Sequence, residues 1–244
     1  MNNFVMIGAG GTGTHLLRPL VTYLRSIHPT GDWLLHVVDG DTVEAKNLER
    51  QLFTPGAVTL NKAAAAVAEM ADDGHIRAIT DYLSETNMAT VIQENDTVLI
   101  CVDNFTVRKR IEDHCLTLRD VCVINAGNEA FSGSVQIWVR ENGENQTPRL
   151  TYMHPEIAVK IGDDRAEMTC AQAAALPGGD QTIVANAMAA TLMLTAVWRV
   201  THRRWELAKR QHPSEATWTE IQFDFVKPFV EHIDQRMSKF WNKS

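Results

Sequence analysis

The segment Phe4-Val5-Met6-Ile7-Gly8-Ala9-Gly10-Gly11-Thr12-Gly13 constrains this chain more than any other part of it. A short apolar run meets a cluster of glycines, and a helix-forming stretch follows. Glycines between a strand and a helix permit a tight turn and let backbone amides approach a phosphate at the helix N-terminus. The spacing also satisfies G-x-G-x-x-G, so it suits ATP and NAD alike. The structural alternative is a tight turn that holds no ligand. Asp39 ends the next apolar run, Trp33 to Asp39, where a carboxylate can accept hydrogen bonds from the ribose hydroxyls of either nucleotide.

The order of segments around this turn is that of an α/β protein. Phe4 to Ile7 reads as a strand, Thr14 to Ser26 as a helix that Pro19 should kink or delay, and Trp33 to Asp39 as a second strand, which makes a βαβ unit. Ala57 to Ala71 reads as a helix, Ile76 to Thr80 as a short strand, Thr97 to Val102 as a buried parallel strand, and Phe105 to Leu118 as a helix. Val121 to Asn125 follows as a strand. Ser134 to Arg140 alternates Val135, Ile137 and Val139 with Ser134, Gln136 and Trp138, the pattern of a strand with one better-buried face. From Glu141 to Asp164 the chain is polar and broken by glycine and proline, too long for an ordinary connection. Thr182 to Lys209 is a long, largely apolar helix, Trp218 to Phe225 alternates like a strand, and Phe229 to Trp241 reads as a terminal amphipathic helix. No repeat or low-complexity tract divides the 244 residues, so a single domain is expected, with a nucleotide-binding half at 1–125 and a partner-binding and dimerisation half at 126–244 that includes a crossover loop at 141–169.

Composition excludes several classes. A net charge of −7 argues against a dedicated nucleic-acid surface, which needs clustered Lys and Arg. No run of eighteen apolar residues or leader pattern is present, and a cytoplasmic protein with no membrane association is the expectation. Cys101, Cys115, Cys122 and Cys170 show neither disulfide spacing nor C-x-x-C, so no zinc is expected.

The segment after the second strand separates the nucleotides. Asp39-Gly40-Asp41-Thr42-Val43-Glu44-Ala45-Lys46-Asn47-Leu48-Glu49-Arg50-Gln51, with Lys62 beyond it, is similar to the D-x-D-x-V-E-x-x-N-L-x-R-Q signature of ThiF, MoeB and the adenylation domains of ubiquitin-activating enzymes. The resemblance implies a Rossmann-like fold whose parallel half is continued by antiparallel strands. It implies ATP contacts from Gly8, Gly10, Gly11, Gly13, Asp39, Asp41, Asn47, Arg50, Gln51 and Lys62. A triphosphate and a departing pyrophosphate need fixed cations, whereas hydride transfer does not. Asp103, after the run Thr97 to Val102, resembles the family's magnesium-organising aspartate, with Arg108 following; as a bare sequence feature it also reads as a cap for the helix from Phe105. Cys170 resembles the cysteine that attacks an acyl-adenylate or joins the partner in some relatives, although a buried, inert thiol is the alternative.

The implied activity is ATP- and magnesium-dependent adenylation of the C-terminal carboxylate of a small β-grasp protein, ubiquitin-like or sulfur-carrying and ending in glycine, by a bacterial homodimer. The alternatives are a non-catalytic nucleotide-sensing subunit and an NAD-dependent oxidoreductase. Two family features are missing: the paired C-x-x-C motifs of many bacterial relatives, and an arginine ahead of the first strand, where only Met1 to Asn3 precede Phe4. Another arginine or a partner then has to serve, or activity is weakened. The pattern from Thr169 to Ala196 resembles ThiF-like proteins of bacterial PRTRC gene systems.

Overall fold

Branched and aromatic residues at Phe4, Val5 and Ile7 have no polar face to offer solvent, and the strand they form is covered on both sides. In the computed structural model, which describes residues 2–70, 74–159, 181–208, 219–226 and 229–233, this strand is β1 (Asn2–Ile7), the middle of a parallel sheet. Its neighbours are β2 (Trp33–Val38) and β4 (Thr97–Ile100), flanked by β3 (Ile76–Ile79) and β5 (Val121–Asn128). A hairpin at Glu129 to Phe131 then reverses the chain into β6 (Ser132–Glu141), and β8 (Glu220–Asp224) and β9 (Phe229–Ile233) extend the sheet antiparallel. The order is β3-β2-β1-β4-β5-β6-β8-β9, with the two-residue β7 (Glu144–Asn145) beside β6. This is the expected architecture, a parallel half continued by antiparallel strands.

Parallel neighbours require crossovers, and helices supply them on both faces. Helix α1 (Gly11–Ile27) lies on one face with α2 (Lys62–Ala68) and the long α7 (Ile183–Ala208). The other face carries α3 (Met88–Val91), α4 (Phe105–Cys115), α5 (Leu150–Met153) and α6 (Glu156–Val159). Two apolar clusters result, one around Leu16, Leu20, Val37 and Met193 and the other around Val5, Ile92, Ile111 and Trp138. Ile183 to His202 is long and apolar enough to cross a membrane by length and composition alone. Here it packs on α1, β5 and β6, and Tyr23 shares a 2.7 Å hydrogen bond with Thr201.

Four local expectations change. Helix α1 starts at Gly11 and runs unbroken through Pro19, because Pro19 is exposed and water can take the carbonyl that its missing N–H leaves. Helix α2 starts only at Lys62, where Asn61 caps it by accepting from the Ala64 N–H at 3.0 Å; a single 3-10 turn at Pro55–Ala57 precedes it. Trp138 is as buried as Val135, because α5 and α6 close the second face of β6. Phe229–Ile233 is a strand rather than the start of a helix, and residues 234–241 of the expected helix lie outside the described residues. Its register opposite β8 runs from Asp224↔Phe229 to Glu220↔Ile233, so an available strand edge decides a sequence that either period would fit.

Candidate functional site

Ligands of open α/β sheets gather beyond the carboxyl ends of the parallel strands, and that edge holds nearly every residue singled out in the sequence. Gly8 leaves β1 at φ +99°, a conformation only glycine adopts without strain, and a Cβ there would meet Val102 Cγ1 at 2.8 Å. A Cβ on Gly13 would fall 2.1 Å from the Gly8 carbonyl oxygen, so helix and strand touch through these two glycines. Gly10 is different: its nearest neighbour would be Gln51 Nε2 at 3.8 Å, which leaves that side open. Helix α1 has no side-chain cap and no acidic residue in its first turn. Its first N–H groups and its dipole therefore face outward, ready for an anion.

Asp39 braces this turn. One carboxylate oxygen accepts from the Ala9 N–H at 2.7 Å and the other from the Asp41 N–H at 2.9 Å. Burial pushes its carboxyl up from the usual range, against the pull of Lys62. Two further lone pairs remain free to accept a hydroxyl donor.

Lys62, 4% exposed, opens α2 and places Nζ 2.8 Å from Asp41 Oδ2. Burial raises the Asp41 carboxyl, but hydrogen bonds from Lys62 and the Tyr82 hydroxyl outweigh it and hold the group below its usual range. Asn47 is buried inside a short 3-10 helix, Ala45–Glu49, where its Oδ1 accepts from the Glu44 N–H at 2.9 Å. Arg50 closes that helix half-buried, and its guanidinium makes no hydrogen bond or ion pair among the described residues. Gln51 lies against Gly10, and the Leu52 N–H donates to Thr14 Oγ at 3.1 Å, which docks the whole segment on the first turns of α1.

Asp103 stands exposed after β4, and its side chain makes no hydrogen bond among the described residues. It does not cap α4. Asn104 does, accepting from the Val107 N–H at 2.9 Å, because the helix starts one residue later than an Asp103 cap requires. Arg108 is buried and donates to the Val102 and Ala126 carbonyls, pinning the Asp103 loop to the end of β5. Burial lowers its pKa, and the nearby Asp103 carboxylate opposes that. A lone hard carboxylate suits Mg²⁺, which takes one or two carboxylates and completes its shell with substrate phosphates and water. Among the described residues no cluster of three His, Cys, Asp or Glu could hold a metal unaided.

Burial pushes the Cys101 thiol up to about 12, and Sγ rests 3.7 Å from Met193 Sδ, so this half-buried residue packs against the core as an inert thiol. Cys115 is likewise pushed up to about 12 by burial. Cys170 lies outside the described residues.

Sequence reasoning missed two clusters. Thr12 donates to Asn128 Oδ1 at 3.2 Å, and Asn128 Nδ2 donates to Asn186 Oδ1 at 2.9 Å, beneath the glycine turn. The available signal was one asparagine in the apolar run Ile183-Val184-Ala185-Asn186-Ala187-Met188. On the far face, His154 places Nδ1 3.0 Å from Glu156 Oε1 and Nε2 2.9 Å from Glu220 Oε1. Carboxylates only accept, so both ring nitrogens must carry protons. The Glu220 hydrogen bond raises the His154 pKa above 6.5 despite burial; burial raises Glu220, but His154 outweighs it and brings that carboxyl below 4.5.

The His154 contribution to stability is complete below 6.5 and lost as pH rises through its raised value. That of Glu220 is present above 4.5 and lost as pH falls through its lowered value. A proton NMR titration should therefore return a His154 pKa above 6.5, and a value at or below it would contradict the paired geometry.

Several known proteins are similar to this chain. A probable molybdopterin-synthase adenylyltransferase of Porphyra purpurea is 27% identical over 179 residues, 72% of this chain and 43% of its own. The molybdopterin-synthase adenylyltransferase of Escherichia coli is 27% identical over 144 residues, 57% of this chain and 55% of its own. This chain thus spans about half the length of these curated relatives. The crystal structure of Escherichia coli MccB with ATP shares the fold, with a TM-score of 0.67 at 17% identity over 96% of this chain and 63% of that one. The sequence pattern of the ThiF family matches residues 2–231, and the chain belongs to that family.

Proposed function

We propose that this protein adenylates the C-terminal carboxylate of a small β-grasp protein, ubiquitin-like or sulfur-carrying and ending in glycine, with ATP as the donor. The observation that carries this reading is the uncapped N-terminus of α1, framed by Asp39, the Arg50 segment and the Asp103 loop at one edge of the sheet. Relatives named as adenylyltransferases and the shared fold of an ATP-bound protein support it.

In this reaction a carboxylate oxygen attacks the α-phosphorus, the bond to the bridging oxygen of pyrophosphate breaks, and an acyl-adenylate remains. The amides of α1 hold the phosphates, Asp39 takes the ribose, and Arg50 and Lys62 offset charge on the departing pyrophosphate. Lys62 reaches that role by exchanging Asp41 for a phosphate oxygen. Asp103 would hold Mg²⁺, which supplies Lewis-acid neutralisation of phosphate charge when bound. The proposal extends to a magnesium-dependent homodimer in the bacterial cytoplasm and to later transfer of the acyl group to Cys170.

A nucleotide-sensing subunit is the second reading, favoured by the Asp41 carboxylate already neutralising Lys62. Exchange of labelled pyrophosphate into ATP, run with β-grasp proteins ending in glycine, separates the two. Partner-dependent exchange is the expected result, and ATP binding without exchange for any partner would favour the sensor. Tight NAD binding with no ATP binding in calorimetry would overturn both. In the same assay, Cys170→Ala should keep exchange and lose any thiol-sensitive adduct with the partner.

A further inference from the structure

Asn186 is fully buried in α7, one turn from its start, with Ala185 and Ala189 buried beside it. A carboxamide in such surroundings is costly unless its hydrogen bonds are met or its position serves the site. Its oxygen has a partner, since Oδ1 accepts from Asn128 Nδ2 at 2.9 Å. Nδ2 has no hydrogen-bond partner among the described residues. That nitrogen lies 2.2 Å from the point a Cβ on Gly11 would take, so the carboxamide packs into the space that glycine leaves. Asn128 in turn holds the Thr12 hydroxyl at 3.2 Å.

One side chain on α7 therefore touches Gly11 directly and reaches Thr12 through Asn128. These are the residues whose N–H groups open a 17-residue helix toward the phosphate position. The N-terminus of α7 is itself fixed to the same hairpin. Thr182 donates to the Ala130 carbonyl at 2.9 Å and accepts from the Ala185 N–H at 3.2 Å.

Resting on the ATP reading above, we propose that Asn186 is a positioning residue for the nucleotide phosphates: it sets the first turn of α1 and turns an N–H dipole toward it. It acts through Gly11 and Thr12 rather than by direct contact with ATP. The dipole aids an anion at the turn and does nothing for a neutral nucleoside.

Calorimetry of Mg-ATP and of adenosine, on wild type, Asn186→Ala and Asn186→Asp, tests this. For Asn186→Ala, ATP affinity should fall roughly tenfold while adenosine affinity stays within about twofold, the size of effect a lost polar interaction produces. Asn186→Asp keeps an acceptor for Asn128 but sets a carboxylate beside the phosphates, so ATP affinity should fall at least about tenfold further. ATP and adenosine affinities that move together, or not at all, would overturn the proposal, since a merely structural residue makes no distinction between them. If the aspartate variant does not fold, the alanine variant decides alone; alanine already fills positions 185, 187, 189 and 190 of this helix. Wild type that binds no ATP defeats the ATP reading itself, whereas wild type that binds ATP with an unmoved ratio in Asn186→Ala defeats only the role of Asn186.

Discussion

Asp103→Ala is expected to lower pyrophosphate exchange by on the order of a hundred- to a thousandfold, the scale of losing one group that stabilises phosphate charge. The thermal midpoint should hardly move. Asp103 is exposed, contributes nothing to either apolar cluster and leaves the α4 cap to Asn104, so its removal breaks no part of the fold. Its loop is also held independently, by Arg108 bonded to the Val102 and Ala126 carbonyls. Catalysis and stability thus separate at this residue. Undiminished exchange in the alanine variant would remove Asp103 from the mechanism, and a large fall in midpoint would show that it supports the fold instead. The contrast is Arg108→Ala, which buries two unsatisfied carbonyls and should lower both readings together.

The second large effect sits inside the glycine turn. A methyl group on Gly13 would come 2.1 Å from the Gly8 carbonyl oxygen, and neither partner is a flexible side chain that could swing away. Strand β1 and helix α1 would have to part, at about 3 kcal/mol or more for overpacking of this kind. For a domain of this size that is roughly 6 to 12 °C in thermal midpoint. Gly10→Ala should behave in the opposite way: with nothing nearer than 3.8 Å, its methyl group strains little of the fold and instead stands on the open, anion-facing side. Thermal melting and ATP calorimetry on the two variants should give an unstable Gly13→Ala and a stable, weakly binding Gly10→Ala. Equal midpoints for the pair would refute the assignment of one glycine to packing and the other to ligand approach.

These glycines show what the sequence makes legible. Gly8 to Gly13, Asp39 and the order of strands around them are local patterns, because turn chemistry and hydrophobic period act over a few residues. Arg50, Lys62 and Asp103 are legible through their spacing and their resemblance to the family signature. What lay beyond reach depends on distant partners. Thr12, Asn128 and Asn186 are linked across 116 and 58 positions, and no periodicity announces such a contact. Trp138 reads as the less buried face of a strand until α5 and α6 are placed over it. Phe229-Val230-Glu231-His232-Ile233 suits a helix or a strand until β8 offers an edge. Lys62 is engaged with Asp41, an ion pair across 21 positions that its place in the sequence does not reveal.

The clasp between α1 and α7 bears on how this molecule must assemble as it is synthesised. The glycine turn and β1 are synthesised well before α7, yet the face of α1 that bears Leu16 and Leu20 is completed by that helix; Tyr23 and Thr201, bonded across it, are 178 positions apart. Closing so long a loop is entropically unfavourable and comes late. Until then the nascent protein carries a glycine turn without its Asn186 contact, above an uncovered apolar face. Any ligand that prefers the seated first turn of α1 would therefore favour the finished fold over that earlier species.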